Sequence, residues 1–152
     1  MKTANLEVIK SPYTDEYAIA WDGQTIASGC VAAFLNEAAT GSKNRSYFFK
    51  YLQEATQPGS RDHAIHSGNG LNVMVFEGFV FFDHDHFEDK KALIRLDVLM
   101  ELVEWVEQLE ALGFPKVQTD HQRHEFLYVS DGPDAEEEFR ISSGFQGDTA
   151  WG

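Results

Sequence analysis

Residues 71–82 read LNVMVFEGFVFF, and this stretch predicts the centre of the fold. Glu77-Gly78 separates two apolar, β-favouring runs, which indicates an antiparallel hairpin closed by a two-residue turn. Apolar side chains occupy both parities of the run, as the neighbours Val73 and Met74 illustrate. Because successive residues of a strand point to opposite faces, we expect both faces of this hairpin to be covered.

A long amphipathic helix is predicted to follow this hairpin. Residues 92–96 favour one more short strand, and Asp97 then has the character of a helix N-cap. Apolar residues recur beyond it at helical spacing, at Leu99, Leu102, Val103, Val106 and Leu109. Gly113 is placed to end the helix, since glycine readily adopts the left-handed conformation found just beyond a helix.

The part of the chain before residue 71 is predicted to hold a hairpin and two helices. Asp22-Gly23 joins two β-capable runs, and this dipeptide favours a tight hairpin turn. Helices are predicted at residues 31–39 and 43–57, where apolar side chains recur at helical spacing. Residues 61–70 are polar and rich in glycine, so they are expected to form a loop.

The C-terminal part adds strands to the predicted sheet. Residues 125–129 favour a strand, and residues 139–141 are expected to pair back with it across a turn. The fold class is therefore α+β, with one domain over residues 1–143 and a mainly antiparallel sheet of five to seven strands. About three helices are expected to pack on this sheet. Residues 144–152 are rich in glycine and are expected to form a loose tail.

The composition is that of one globular domain. The chain has 152 residues, of which 43% are hydrophobic and 13% aromatic, whereas disordered acidic segments contain few aromatic residues. Cys30 is the only cysteine, which rules out an internal disulfide and fits a reducing compartment. Residues 1–10 lack the pattern of a signal peptide, and no apolar run approaches the roughly 18 residues of a membrane span. A cytoplasmic protein is therefore predicted.

The net charge of −13 is distributed unevenly. Residues 97–152 contain thirteen acidic and three basic side chains, so most of the charge lies there. Such a field repels nucleic acids and acidic membrane surfaces and attracts basic proteins. The predicted partner is therefore a basic protein, with no direct contact to nucleic acid or membrane.

Two acidic runs are the candidate partner-binding surface. The first recurs every third residue of the long helix, which has no lysine or arginine to balance it, and the second lies near residue 137. Each run can be a solvated face or a docking surface for a basic protein. Trp105 can be a structural residue or an interface anchor. The candidate residues are Glu101, Glu104, Trp105, Glu107, Glu110, Glu136, Glu137 and Glu138.

The six histidines occur in three close pairs and raise the alternative of a metal site. Two histidines two residues apart on a strand share a face, as metal chelation requires. No established metal-binding motif surrounds them, so the sequence predicts neither metal nor cofactor and treats the pairs as polar loop residues. The alternative ligands are His63, His66, His84, His86, His121 and His124. Cys30 is expected to be a buried structural residue rather than a nucleophile.

Residues 71–112 combine a hairpin, a short strand and an acidic amphipathic helix with a central tryptophan. The segments VMVFEGFVFF and LMELVEWVEQL carry this pattern. It resembles the small acidic immunity proteins that bacteria make against their own contact-dependent or secreted toxins. The resemblance implies a binding module that blocks a nuclease or another basic toxin domain, and it assigns no individual binding residue.

The predicted function is therefore that of an acidic, non-enzymatic inhibitor or immunity-type protein that sequesters a basic protein. Carboxylates would replace the phosphates that a nuclease normally contacts. Two alternatives stay open: a metal-dependent enzyme that uses the paired histidines, and a nucleic-acid mimic or non-catalytic adaptor subunit.

Overall fold

The computed structural model describes residues 1–10, 16–113 and 122–149, which form one α+β domain. The strands are β1 (Lys2–Lys10), β2 (Tyr17–Trp21), β3 (Ala64–Gly68), β4 (Leu71–Phe76), β5 (Phe79–His84), β6 (Ala92–Arg95), β7 (Arg123–Tyr128) and β8 (Ser130–Asp131). The helices are α1 (Ile26–Phe34), α2 (Ser42–Ala55), α3 (Leu96–Leu112) and α4 (Ala135–Ser143), and a π-helical segment, the π-turn (Leu35–Ala39), continues α1. Within these residues, no helix combines the length and the apolar character needed to cross a membrane.

The strands form two antiparallel sheets rather than one. The larger sheet has the order β3-β4-β5-β6-β8, and the smaller has the order β2-β1-β7. The predicted fold class and antiparallel pairing are confirmed, whereas the prediction of a single sheet is wrong. The segment that contains β7 and β8 links the sheets, because its Val129 N–H donates to the Leu93 carbonyl at 2.9 Å.

The hairpin predicted at residues 71–82 is the centre of the larger sheet. Glu77 and Gly78 have φ angles of 49° and 80°, as a tight two-residue hairpin turn requires. Both faces of the sheet are covered, as predicted. Side chains such as Phe82 face the main core with α1, α2 and α3, whereas Phe81 stacks on Phe139 of α4 with ring centroids 5.1 Å apart. Helices therefore lie on opposite faces of this sheet.

Helix α3 follows β6 without a loop. Arg95 is both the last residue of the strand and the N-cap of the helix, so the predicted N-cap at Asp97 is wrong by two residues. Asp97 instead lies in the first turn, where its carboxylate accepts from Val98 N–H. The apolar face is fully buried, with each leucine such as Leu102 contributing about 2 kcal/mol. The helix ends at Gly113, as predicted, with φ of 71°.

The predicted hairpin at Asp22-Gly23 is wrong. Strand β2 pairs with β1, and α1 begins at Ile26 with Thr25 as its N-cap. The Asp22 carboxylate accepts from the N–H groups of Gln24 and Thr25 at 2.8 and 2.7 Å. Helix capping by the aspartate and threonine therefore replaces the expected turn between strands.

Two further predictions are corrected at β3 and α4. Residues 61–70 are not a loop throughout, because β3 pairs with β4 despite its polar composition. Residues 139–141 belong to α4 rather than to a strand, since three glutamates in its first turn are favoured by the helix dipole. Residues 144–149 of the predicted loose tail pack on α4, where Phe145 stacks on Phe139 with ring centroids 5.3 Å apart.

Candidate functional site

Three glutamates of α3 form an exposed surface, the α3 acidic face: Glu101, Glu104 and Glu107. The buried leucines and valines of the same helix fix its other side against the core, so the helix cannot turn these carboxylates inward. No lysine or arginine occurs within the helix. The α3 acidic face can therefore attract a cationic surface without first breaking ion pairs within its own helix.

Glu110, the fourth glutamate of the series, has a structural role. Its carboxylate accepts from Gly41 N–H at 2.6 Å and from the Arg45 guanidinium at 2.7 Å. Arg45 is buried and also donates to the Ala39 carbonyl. The Arg45 Nε lies 3.6 Å from the carboxylate of Glu107. Helix α2 therefore supplies the cation that α3 lacks, and the pair fixes the C-terminal half of α3.

Trp105 lies inside the molecule rather than on the candidate surface. Only 6% of its surface is exposed, and its ring centroid lies 5.1 Å from that of His124 on β7. Burial lowers the pKa of His124, while the charge of Glu101 opposes this shift. The contact supports the structural interpretation of Trp105 and places β7 directly beside α3.

The second acidic run lies in the first turn of α4. Glu138 accepts from Ser142 Oγ at 3.0 Å, Glu136 accepts from the Thr149 hydroxyl, and Glu137 is exposed. Helix α4 covers the face of the larger sheet opposite to the face covered by α3. The structure therefore does not bring the two predicted acidic runs together.

The described histidines do not converge on one point. In residues 1–10, 16–113 and 122–149, no group of three or more histidine, cysteine, aspartate or glutamate side chains is arranged to hold a metal ion. His84 and His86 are neighbours, with ring centroids 5.9 Å apart, and His63 packs edge-on against Phe76. His121 lies outside the described residues.

Cys30 is buried in α1, as predicted. Burial raises the pKa of its thiol to about 12, Asp131 adds to this effect and Lys90 opposes it. His84 shares with the thiol a cavity of about 470 Å³. Because the thiolate is strongly disfavoured, this pair lacks the activated sulfur that a cysteine nucleophile needs.

A cleft of about 630 Å³ lies between the π-turn, α2 and β3 and is called the α2–β3 cleft. Tyr47 and Tyr51 form one wall and are 50% and 46% exposed. Phe48 of the same helix is buried, so the two tyrosines lie on the more exposed side of α2. The cleft is lined by Glu37, Ala38, Asn44, Tyr47, Phe48, Tyr51, Asp62, Ala64, Ile65, His66 and Ser67. Sequence reasoning missed this site, although Asn44, Tyr47 and Tyr51 share one helical face.

The π-turn supplies side chains to both sheets. The Asn36 amide accepts from Ile19 N–H at 3.0 Å and donates to the Ile19 carbonyl at 2.8 Å, so it covers the edge of β2. Glu37 Oε2 lies 2.8 Å from His66 Nε2, and its other oxygen accepts from the Asn69 amide at 2.7 Å. Short π-helical segments within helices are frequent at functional sites. The π-turn therefore favours a functional role for the end of the cleft that it lines.

No protein-family model, curated protein or solved structure matches this chain. The resemblance to immunity proteins stays a prediction.

Proposed function

We propose that this chain is a non-enzymatic, protein-binding module of the inhibitor or immunity type, which sequesters a basic protein such as a nuclease toxin. The observation that carries the proposal is the α3 acidic face, where three exposed carboxylates occupy successive turns of a helix without lysine or arginine. Like charges at this spacing cost a few tenths of a kcal/mol per pair in the free protein. A cationic partner would remove this cost.

The contacts that hold α3 against the rest of the domain also support a docking role. Its apolar side is buried, and the bond between Glu110 and Arg45 fixes its C-terminal half to α2. Carboxylates on a rigid helix bind with a smaller loss of conformational freedom than carboxylates on a loop. They would meet the cations with which a nuclease holds phosphates.

The competing hypothesis of a metal-dependent enzyme receives less support. It needs at least three converging ligands, and the described part of the chain brings no such group together. A nucleic-acid mimic would use the same acidic face but bind a different partner, a DNA-binding protein. Addition of DNA would displace such a partner from this chain.

Affinity capture tests the proposal. The immobilised protein is incubated at low salt with a lysate of its own source organism, and bound proteins are quantified by mass spectrometry. We expect a basic protein to be enriched by the wild type and lost with the double variant Glu101→Lys/Glu104→Lys. Glu107 is left unchanged because Arg45 lies beside it.

The matched control is Glu54→Lys/Glu88→Lys, which changes net charge equally at exposed positions outside α3. This control should retain the captured protein. Capture that both double variants abolish would mean that only overall charge matters, and the proposed site would be wrong.

A further inference from the structure

We infer that the α2–β3 cleft receives an arginine or lysine side chain of the basic partner, an inference that rests on the proposed function and adds a second contact to it. The cleft joins two half-exposed tyrosines to two carboxylates, and none of the lysines and arginines in residues 1–10, 16–113 and 122–149 lines it. This is the chemistry of a site for an organic cation.

The aromatic wall is the first support. Tyr47 and Tyr51 are four residues apart on α2, so their side chains are neighbours on one helical face. A guanidinium or ammonium group is attracted to the face of an aromatic ring, and desolvation in a cleft strengthens this attraction. Arginine also stacks its planar group on such rings.

The charges of the lining are the second support. Glu37 and Asp62 are its carboxylates, and Glu37 Oε2 lies 2.8 Å from His66 Nε2. The bonds from His66 and Asn69 hold the Glu37 carboxylate in place before a ligand arrives. Lys43 and Lys50 also belong to α2 but lie outside the lining.

The position of the cleft is the third support. Arg45, which contacts Glu107 and Glu110 of α3, directly follows Asn44, which lines the cleft. The cleft therefore borders the same turn of α2 as Arg45, which lies beside Glu107 at one end of the α3 acidic face, and we propose that one partner contacts both. The volume of the cleft falls within the range of about 300–1,000 Å³ typical of ligand pockets, so a complete side chain fits.

Titration with a small basic peptide tests the inference. The probe is the acetylated and amidated tripeptide Val-Arg-Val, and its control carries citrulline, the neutral isostere of arginine. In ¹H–¹⁵N NMR spectra, we expect the arginine peptide to shift the amide signals of Glu37, Tyr47 and His66. The citrulline peptide should bind at least about fivefold more weakly, because the charged contact is lost.

Variants separate the cleft from general charge. Tyr47→Ala/Tyr51→Ala removes two exposed rings, and Asp62→Asn removes one charge, so each should weaken binding at the cleft by about fivefold. Glu137→Gln on the opposite face of the larger sheet removes the same charge and should leave binding unchanged.

The outcomes distinguish this inference from the proposed function. Shifts confined to the amides of Glu101, Glu104 and Glu107 would overturn the cleft inference and leave the proposed function standing. Equal binding of the arginine and citrulline peptides, or no effect of the cleft variants, would also overturn the inference. Binding of the arginine peptide at neither surface would contradict both.

Discussion

The two acidic runs of this protein differ in what explains them. In α4, the glutamates occupy the first turn, where the helix dipole stabilises negative charge, and Glu136 and Glu138 accept hydrogen bonds from nearby hydroxyls. In α3, Glu104 lies in the middle of the helix and Glu107 toward its C-terminal half, where the dipole gives no such benefit. Folding thus accounts for the run in α4 and, through Arg45, in part for Glu107, but not for Glu101 and Glu104 of the α3 acidic face.

This difference shows that acidic composition alone does not identify a binding surface. Glu110 and Glu104 both belong to the series of glutamates that recur at every third position of α3. Glu110 nevertheless stabilises the fold through its contacts with Arg45 and Gly41. Carboxylates that the fold uses can be separated from those that it does not use by their effects on stability.

The largest expected effect concerns Glu110. Glu110→Ala removes the closest carboxylate from the buried Arg45 guanidinium, which keeps the Ala39 carbonyl and the more distant Glu107, and it leaves Gly41 N–H without its acceptor. The free energy of unfolding should therefore fall by about 3 kcal/mol. Urea denaturation followed by circular dichroism measures the loss.

The matched control is Glu104→Ala, which removes an exposed carboxylate of the same helix and should change stability by no more than about 0.5 kcal/mol. Similar losses of unfolding free energy for Glu110→Ala and Glu104→Ala would show that Glu110 is no more important for the stability of the fold than the exposed Glu104.

Asp22 provides a structural carboxylate elsewhere in the fold. Burial alone would raise its pKa, but hydrogen bonds from the backbone N–H groups of Thr25, Gln24 and Asn5 outweigh burial and hold the pKa below its usual range. Asp22→Asn should therefore cost about 1–2 kcal/mol at neutral pH.

The sign of the pH dependence follows from the lowered pKa. The contribution of Asp22 is complete above about pH 4, the range of an unfolded aspartate, and is lost as pH falls through the lower pKa of the folded state. The stability difference between Asp22→Asn and the wild type should therefore shrink below about pH 4. A difference that stays constant down to pH 2 would contradict the assigned hydrogen bonds.

A smaller effect compares the two acidic helices directly. Glu137→Lys places a cation at the start of α4 and should lower the free energy of unfolding by about 0.5–1 kcal/mol at low salt. Glu104→Lys creates opposite-charge neighbours with Glu101 and Glu107 and should leave stability unchanged or raise it by a few tenths of a kcal/mol. Thermal melts at low and high salt check both changes, and a destabilising Glu104→Lys would indicate that α3 uses this carboxylate for folding.

Strong local patterns in the sequence predicted the parts of the fold that form locally. The hairpin at Glu77-Gly78 and the buried face of α3 combine turn chemistry with unambiguous apolar periodicity. The sequence does not reveal strand β3 because its residues AIHSG are mostly small or polar. The predicted hairpin at Asp22-Gly23 is wrong because this dipeptide suits the start of a helix as well as a tight turn between strands.

The candidate site depended more on contacts between distant residues. Glu37 and His66 are 29 positions apart, and Arg45 and Glu110 are 65 apart, so no local pattern predicts either contact. The sequence indicated the α3 acidic face but assigned Glu110 to it. It gave no sign of the π-turn that brings Glu37 into the α2–β3 cleft.

The association rate of the captured basic protein with the α3 variants tests the central claim most directly. The rate is measured by stopped flow at ionic strengths of about 0.1 M and about 1 M, at which the Debye length is about 10 Å and about 3 Å. Glu101→Lys/Glu104→Lys should slow association by about tenfold at the lower ionic strength, with little difference at the higher, whereas Glu54→Lys/Glu88→Lys should stay within about twofold of the wild type. Equal slowing by both double variants, or none by either, would contradict docking at the α3 acidic face.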